Sequence, residues 1–435
     1  MYLDSLTPDE SQVGYGELGT HGSLGYENQR VAAQGKQYDR ALSTHPPARL
    51  RFELDGRFGS LKCSVAINDD VGPGRSHAHF FVHADGIEVA CVPYVVAGQP
   101  PRELVANIAG ARSLELIVET DAWDFCHAVW LDPEVSEQAV HSPAGTLSDC
   151  LNRAEIQLLP PQTEVECCIA TVASDGFAAL LENMLGSLLR NGNCPEARLV
   201  VFGVEPNDEC RRITEKYEAQ FIPCKKRAPI NATVKSVLYT AARVVPAQKY
   251  ICLDADMLVF GDLQPVFACI DVEPIGSVFA VREGNGSRSG RLDRVVNTIY
   301  GGHPRDLHRL LGHQNGEGGY SLIVNDGTFA AGRVALLTLD GLIRSWKQAT
   351  RWVDERHDVW WRNQFVFNLA LAHRHCGVEL DASYNVQLNS QNVQLEEIDG
   401  EVKAFWQNQP VRVLHFNGNG RHKYPELKER FTHGG

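Results

Sequence analysis

The sequence predicts two folds in succession: an all-β sandwich, then an α/β domain built on a mostly parallel sheet. Three observations predict this. Short, partly alternating apolar runs separated by turn signals fill the first third of the 435 residues, which is the pattern of half-buried strands. The pair Pro160-Pro161 then marks a stiff break. Beyond it, strand-like apolar runs alternate with helical patterns, and that alternation implies parallel strands with both faces covered. The expected division is 1–160 and 161–435.

Taken in order, RLRFELDG, SLKCSVAIND, HAHFFVHADG, IEVACVPYVV and SLELIVET read as strands, with DG and NDDVGPG as the turns between them. Helical patterns are sparse before residue 145. After the break, VECCIATVA reads as a strand and Phe177 to Arg190 as a helix. ARLVVFGVE (strand), DECRRITEKYEA (helix), QFIPC (strand), NATVKSVLYTAARVV (helix) and KYICLDAD (strand) follow. GNGSRSGR (284–291) and GHQNGEGG (312–319) are Gly-rich and read as mobile loops, the kind of segment where specificity would reside.

Composition excludes several classes. At 43% hydrophobic and 22% charged the chain is ordinary for a globular protein. A net charge of −13 argues against nucleic acid or acidic membranes as general partners. The 12 cysteines include no CxxC pair, which disfavours a zinc ribbon. MYLDSLTPDE lacks the basic and apolar regions of a signal peptide. No apolar run approaches the roughly 18 residues of a membrane span. The expectation is a cytoplasmic protein with mostly buried thiols and no transmembrane segment.

The chemistry concentrates at the end of KYICLDADMLVFGDL (249–263). In extended chain, residues two apart face the same side at about 6.6 Å between Cα atoms. Asp254 and Asp256 can therefore converge on one hard cation, Mn²⁺ or Mg²⁺, that leaves positions open for phosphate oxygens. Acidic residues also end strands in ordinary turns, and both readings are open here. Downstream, VRVLHFNGNGRHKYPE (411–426) offers His415 as a third ligand, and Gly418, Gly420, Arg421 and Lys423 as a phosphate-binding loop; a charged surface turn is the alternative. There is no GxxxxGK[ST] P-loop, and Leu258 stands where a DxDx[TV] phosphatase has Thr or Val.

Segment 163–425 resembles the retaining glycosyltransferases of GT-A fold that include glycogenin, galactinol synthase and bacterial lipooligosaccharide galactosyltransferases. The blocks that carry the resemblance are TVASDGFAALLENMLGSLL, LDADMLVFGDL, VNDGTFAAGRVAL and RNQFVFNLAL, followed by ASYNVQ and HFNG, in the family's order. The resemblance implies a Rossmann-like sheet, a UDP-sugar donor, and a divalent ion on Asp254, Asp256 and His415. It also implies that Thr171 and Asp175 lie near the base and ribose, and Phe177 against the uracil. Lys235 would reach the diphosphate or the sugar, Asn325 and Gly327 the donor sugar, and Gln364 the anomeric centre. Several residues have a structural alternative: core for Phe177, helix capping for Thr171 and Asp175, a solvated face for Lys235, and a turn for Asn325-Asp326-Gly327.

Two positions depart from the family. Asn363 stands where the family has Asp, with Asp326 inserted nearby as a candidate to compensate. The family's lysine after the histidine falls on Arg421, with Lys423 two residues further. The first third, roughly 14–135, resembles the NPCBM module, a β-sandwich often appended to sugar-active enzymes, through VHADGIEVA, GARSLELIVE and HAVWLDPEV. Trp123 and Trp130 are either sugar-stacking or core.

The expected function is a metal-dependent retaining glycosyltransferase. The alternatives are a nucleotide-sugar or carbohydrate-binding protein without turnover, and a sugar nucleotidyltransferase. The latter would carry a basic Gly-rich loop after the first strand, which TVASDGFAAL lacks. The donor sugar and the acceptor, which would be a saccharide, lipid-linked glycan, protein or small metabolite, are not legible, nor is oligomeric state.

Overall fold

A computed structural model describes all residues except 141–144, 149–153, 227–233, 284–323, 347–361, 389–391, 399, 418–419 and 421–435. Both Gly-rich segments, together with Gly418, Arg421 and Lys423, lie outside the described residues. The chain forms two compact units, Met1–Gly145 with Leu158–Glu164 and Arg243–Pro246, and the remainder.

The first unit is a β-sandwich. Glu10–Gln12, Ala48–Glu53, Ser113–Glu119, His77–Ala84, Ile87–Val96 and Gln162–Thr163 form one sheet in that order, and Ala41–Thr44, Ala128–Ser136, Ser60–Ile67 and Arg102–Asn107 the other. Every pairing is antiparallel. Each strand read from the sequence is present. Asp85 and Gly86 both take positive φ, as a two-residue hairpin turn demands. Asp85 also accepts the Arg112 and Ser113 amides of the neighbouring strand, locking that turn to the sheet. Between the sheets, Trp130 is fully buried against Phe80, edge to face at 5.1 Å, so it is core. Trp123 is 43% exposed.

The second unit is α/β. Its nine-stranded sheet runs Thr146–Ser148, Glu155–Gln157, Gln220–Lys225, Arg198–Val204, Val165–Ala173, Ala247–Asp254, Val324–Gly332, Val278–Arg282, Gly377–Leu380. The sheet is mixed, so the expected mostly parallel sheet is met in part. The stretch from Gln220–Lys225 to Ala247–Asp254 is parallel, as is the last pair. Val324–Gly332 instead runs antiparallel to both neighbours, and the two short strands at the opposite edge are antiparallel too. A strand buried on both faces shows no alternation that depends on which way it points, so the sequence carries no sign of its direction.

Helix Ala178–Asn191 forms because Leu181, Met184, Leu185 and Leu188 recur at helical spacing and bury one stripe against Ile169, Val201 and Ile251. The described part of NATVKSVLYTAARVV is a 3₁₀ turn, Val234–Thr240, running into a short helix, Ala241–Val244, where one continuous helix was expected; its first three residues lie outside the described residues. The expected buried thiols include Cys63, Cys126, Cys168, Cys210 and Cys252; burial pushes the pKa of Cys168 up to about 12. No helix among the described residues is long and apolar enough to cross a membrane.

Candidate metal centre

Asp254 is the last residue of its strand, and a tight turn carries the chain through Ala255 and Asp256 into Met257–Val259. That short strand pairs antiparallel with Val413–His415, placing Met257 opposite His415, and Val386–Gln387 adds a third strand. Leu258, Leu414, Val386 and Phe416 pack together beneath it. The Phe416 amide donates to the Asp256 carbonyl at 2.9 Å. Apolar packing and ladder bonds thus bring a histidine distant in sequence beside the two aspartates.

One ligand atom each from Asp254, Asp256 and His415 lies within 4.8 Å of the other two. His415 Nε2 is 3.4 Å from Asp254 Oδ2 and 3.4 Å from Asp256 Oδ1. Its Nδ1 faces Asn385 Oδ1 at 3.0 Å. Since Asn385 Nδ2 donates to Asn325 Oδ1 at 3.0 Å, the amide presents its oxygen to the ring, so Nδ1 carries hydrogen and Nε2 is left for a cation. Burial works against a charge on His415, but Asp256 and Asp254 outweigh it and raise the pKa to about 9. Without a metal, the imidazolium is the cation that answers these carboxylates. Two hard oxygens and one imidazole nitrogen suit Mn²⁺ or Mg²⁺.

Lys235 is not on a solvated face. Its Nζ sits between Asp254 Oδ2 at 2.8 Å and Asp326 Oδ1 at 2.7 Å, with 14% of the side chain exposed. Burial opposes its charge, and the two carboxylates more than offset this and raise its pKa. Asp326 Oδ2 accepts from the Tyr239 hydroxyl at 2.9 Å and from Asn363 Nδ2. Burial, then the Asp326 charge, hold Tyr239 neutral with its pKa well above the usual phenol range. The amide at 363 and the carboxylate inserted at 326 are therefore in direct contact, so a negative charge stands beside Asn363 although the residue itself is neutral.

Asn325-Asp326-Gly327 is buried strand, not a turn. Asn325 Oδ1 accepts the Gly327 amide at 2.8 Å, and its Nδ2 donates to Glu283 Oε2 at 2.8 Å. A Cβ on Gly327 would stand 2.6 Å from His415 Cε1 and 2.7 Å from Asn325 Oδ1, so the close approach of strand to ring requires glycine. Gln364 Nε2 also donates to Glu283 Oε2, at 2.6 Å. Thus Asp254, Asp256, His415, Lys235, Asn325, Asp326, Gly327, Asn363 and Gln364 form one connected cluster.

The nucleotide-side candidates stand apart from that network. Thr171 lies in Val165–Ala173, whose Val172 pairs with Asp254. The Thr171 hydroxyl is buried and has no hydrogen-bond partner among the described residues. Asp175 Oδ1 accepts the Glu209 and Cys210 amides at 3.0 and 3.1 Å, capping helix Asp208–Lys216, whose own N-cap residue Asn207 makes no side-chain cap. Phe177 is half-buried and packs on the central apolar cluster. Sequence reasoning missed Glu283, Asn385 and Tyr239 as members of the site. Asn385 lay inside the quoted ASYNVQ block, but Glu283 and Tyr239 carried no motif signal at all.

Fold and site define a class: an all-β module on the same chain as an α/β unit with an Asp-Asp-His cluster that could hold a cation. Residues 1–136 match the family model of the NPCBM/NEW2 domain, as the resemblance implied. No curated protein sequence matches the chain. Among solved structures, the CBM51-2 and INT domains of Clostridium perfringens ZmpB align at 20% identity over 31% of this chain and 30% of that one, TM-score 0.29. Over the C-terminal part the similar structures include GT-A glycosyltransferases. The galactosyltransferase LgtC in complex with donor and acceptor sugar analogs aligns at 15% identity over 58% of this chain and 87% of that one, TM-score 0.37. Mouse xyloside xylosyltransferase 1 aligns at 15% identity over 59% and 99%, TM-score 0.37.

Proposed function

We propose that the second unit is a divalent-cation-dependent, retaining glycosyltransferase that takes a sugar from a UDP-sugar. A cytoplasmic location is part of the same proposal. The observation that carries it is the convergence of Asp254, Asp256 and His415 next to a buried Lys235–Asp326–Asn363 cluster. The ordered motif blocks support it.

Asp254, Asp256 and His415 would hold Mn²⁺ or Mg²⁺. The bound ion supplies Lewis-acid stabilisation of charge on the diphosphate leaving group. Lys235 contributes a fixed positive charge beside the donor and holds Asp326 in an ion pair. Asp326 has both oxygens hydrogen-bonded, so it acts as a fixed negative charge facing the cation-like sugar rather than as a free nucleophile. Asn363 tethers that carboxylate, Gln364 offers its amide to the anomeric centre, and Asn325 and Gly327 line the sugar side. The sugar–phosphate bond breaks, the acceptor hydroxyl forms the new bond on the same face, and its proton passes to the departing phosphate oxygen. Thr171, Asp175 and Phe177 would border the nucleotide, and Gly418 with Arg421 or Lys423 would receive the β-phosphate.

The test is nucleoside diphosphate release from a panel of nucleotide sugars with Mn²⁺, followed by mass spectrometry. UDP release is expected, falling about 10²–10³-fold in Asp256→Ala, a loss of the size seen when a main electrostatic stabiliser is removed. Binding of UDP-sugar by calorimetry without turnover on any acceptor would replace the enzyme reading with a binding protein. A new nucleotide sugar made from UTP and a sugar phosphate would replace it with a nucleotidyltransferase.

A further inference from the structure

Glu283 follows strand Val278–Arg282 and is half-buried. Its Oε2 is the shared acceptor for two side-chain amides, Gln364 at 2.6 Å and Asn325 at 2.8 Å. A carboxylate accepts and does not donate, so both partners must turn their NH₂ groups toward it. The two amides differ in what else holds them. Asn325 has a second constraint, because its Oδ1 receives the Gly327 amide and Asn385 Nδ2. For the Gln364 side-chain amide, Glu283 is the one hydrogen-bond partner among the described residues. The Gln364 main chain is anchored separately, by Asn368 Nδ2 on its carbonyl at 2.8 Å.

We propose that Glu283 is a positioning residue that fixes the Gln364 side-chain amide, so that Nε2 is engaged and Oε1 is the atom offered to the sugar. The inference rests on the glycosyltransferase reading for its consequence, but not for its geometry. A sugar becoming cation-like is stabilised by the negative end of the amide dipole and repelled by the positive end, so a flipped Gln364 opposes the step it should assist. Because Asn325 keeps its second anchor, the cation site is insulated from Glu283. Loss of Glu283 should therefore act on turnover and leave cation binding intact.

The experiment uses the full chain. The Gln364 side-chain NH₂ resonances are assigned by their disappearance in Gln364→Glu. Glu283→Leu should move those resonances from a hydrogen-bonded to a solvent-exchanging position. It should lower kcat about 10²-fold, a loss typical of a misplaced group, and keep the Mn²⁺ dissociation constant within twofold. Glu283→Gln, whose carbonyl oxygen can accept both amides, should restore the resonances and most of kcat. Unchanged Gln364 resonances in Glu283→Leu would overturn the proposal. So would a parallel loss of Mn²⁺ affinity, or a Glu283→Gln as defective as the leucine variant. If the resonances move as expected while the wild-type chain turns over no nucleotide sugar, the positioning role stands and the glycosyltransferase reading fails.

Discussion

Both units place histidine against aspartate, but to different ends. In the sandwich, His127 Nδ1 is 2.5 Å from Asp70 Oδ2, and Asp70 Oδ1 takes Asn68 Nδ2 at 2.6 Å. His77 Nε2 likewise meets Asp121 Oδ1 at 2.7 Å. These are close pairs of one imidazole nitrogen with one carboxylate oxygen. In the α/β unit, one imidazole nitrogen faces two carboxylates, each at 3.4 Å, beyond hydrogen-bond distance. A satisfied pair is short and complete. A looser two-to-one arrangement is one in which a divalent cation could take the place of the imidazole proton.

That contrast can be broken most directly at Lys235. Replacing it with Met leaves Asp326 and Asp254 buried without their ammonium, and breaking such a pair costs about 3–5 kcal/mol. Hydrogen exchange should show this loss in the α/β unit alone; equal loosening of the sandwich would mean the two regions are not separately built. Gly327→Ala is expected to displace the His415 ring. A disturbance next to a metal ligand typically weakens affinity by roughly 10–100-fold, which Mn²⁺ titration would measure, and unaltered affinity would show that the ring has room to yield.

The third comparison is of pH. His415, raised to about 9, stabilises the cation-free fold fully below its unfolded value of about 6.5, and that contribution fades as pH rises through 9. Cation affinity should run the opposite way, rising by up to about tenfold per unit over the same window as a proton is displaced. Calorimetry in buffers of different ionisation enthalpy would detect the released proton, and a flat profile would contradict the ligand assignment. Asp70 in the sandwich should behave in the acid range instead. Burial pushes its pKa up, but hydrogen bonds from His127 and Asn68 outweigh this and hold it low. Its contribution is therefore present above about pH 3.9 and lost as pH falls through its depressed folded value. Asp70→Asn should cost about 1 kcal/mol near neutrality and leave turnover unchanged; a fall in kcat would make that pair more than a local contact.

Much of this was legible in the chain. Local alternation located the sandwich strands, and the i, i+2 spacing of Asp254 and Asp256 raised the expectation of a shared ligand. The block order then picked out His415. What stayed hidden depends on tertiary packing. Lys235 sits in a stretch patterned like an ordinary surface helix, and only the fold shows it wedged between two carboxylates. The Asp326–Asn363 contact joins a strand to a helix start, and neither residue's neighbours announce the other. The antiparallel course of Val324–Gly332 was invisible because both of its faces are buried. Glu283 gave no sign, since a single glutamate after an apolar strand is common.

The docking of His415 beside Met257 also sets an order of events during synthesis. A ribosome releases Asp254 and Asp256 long before Val413–His415, and folding proceeds by units as the polypeptide emerges. Until the late strand arrives, the nascent scaffold has two carboxylates and no imidazole. On the proposed function, ion capture would therefore report on completeness, and a product terminated before His415 would lack the third ligand.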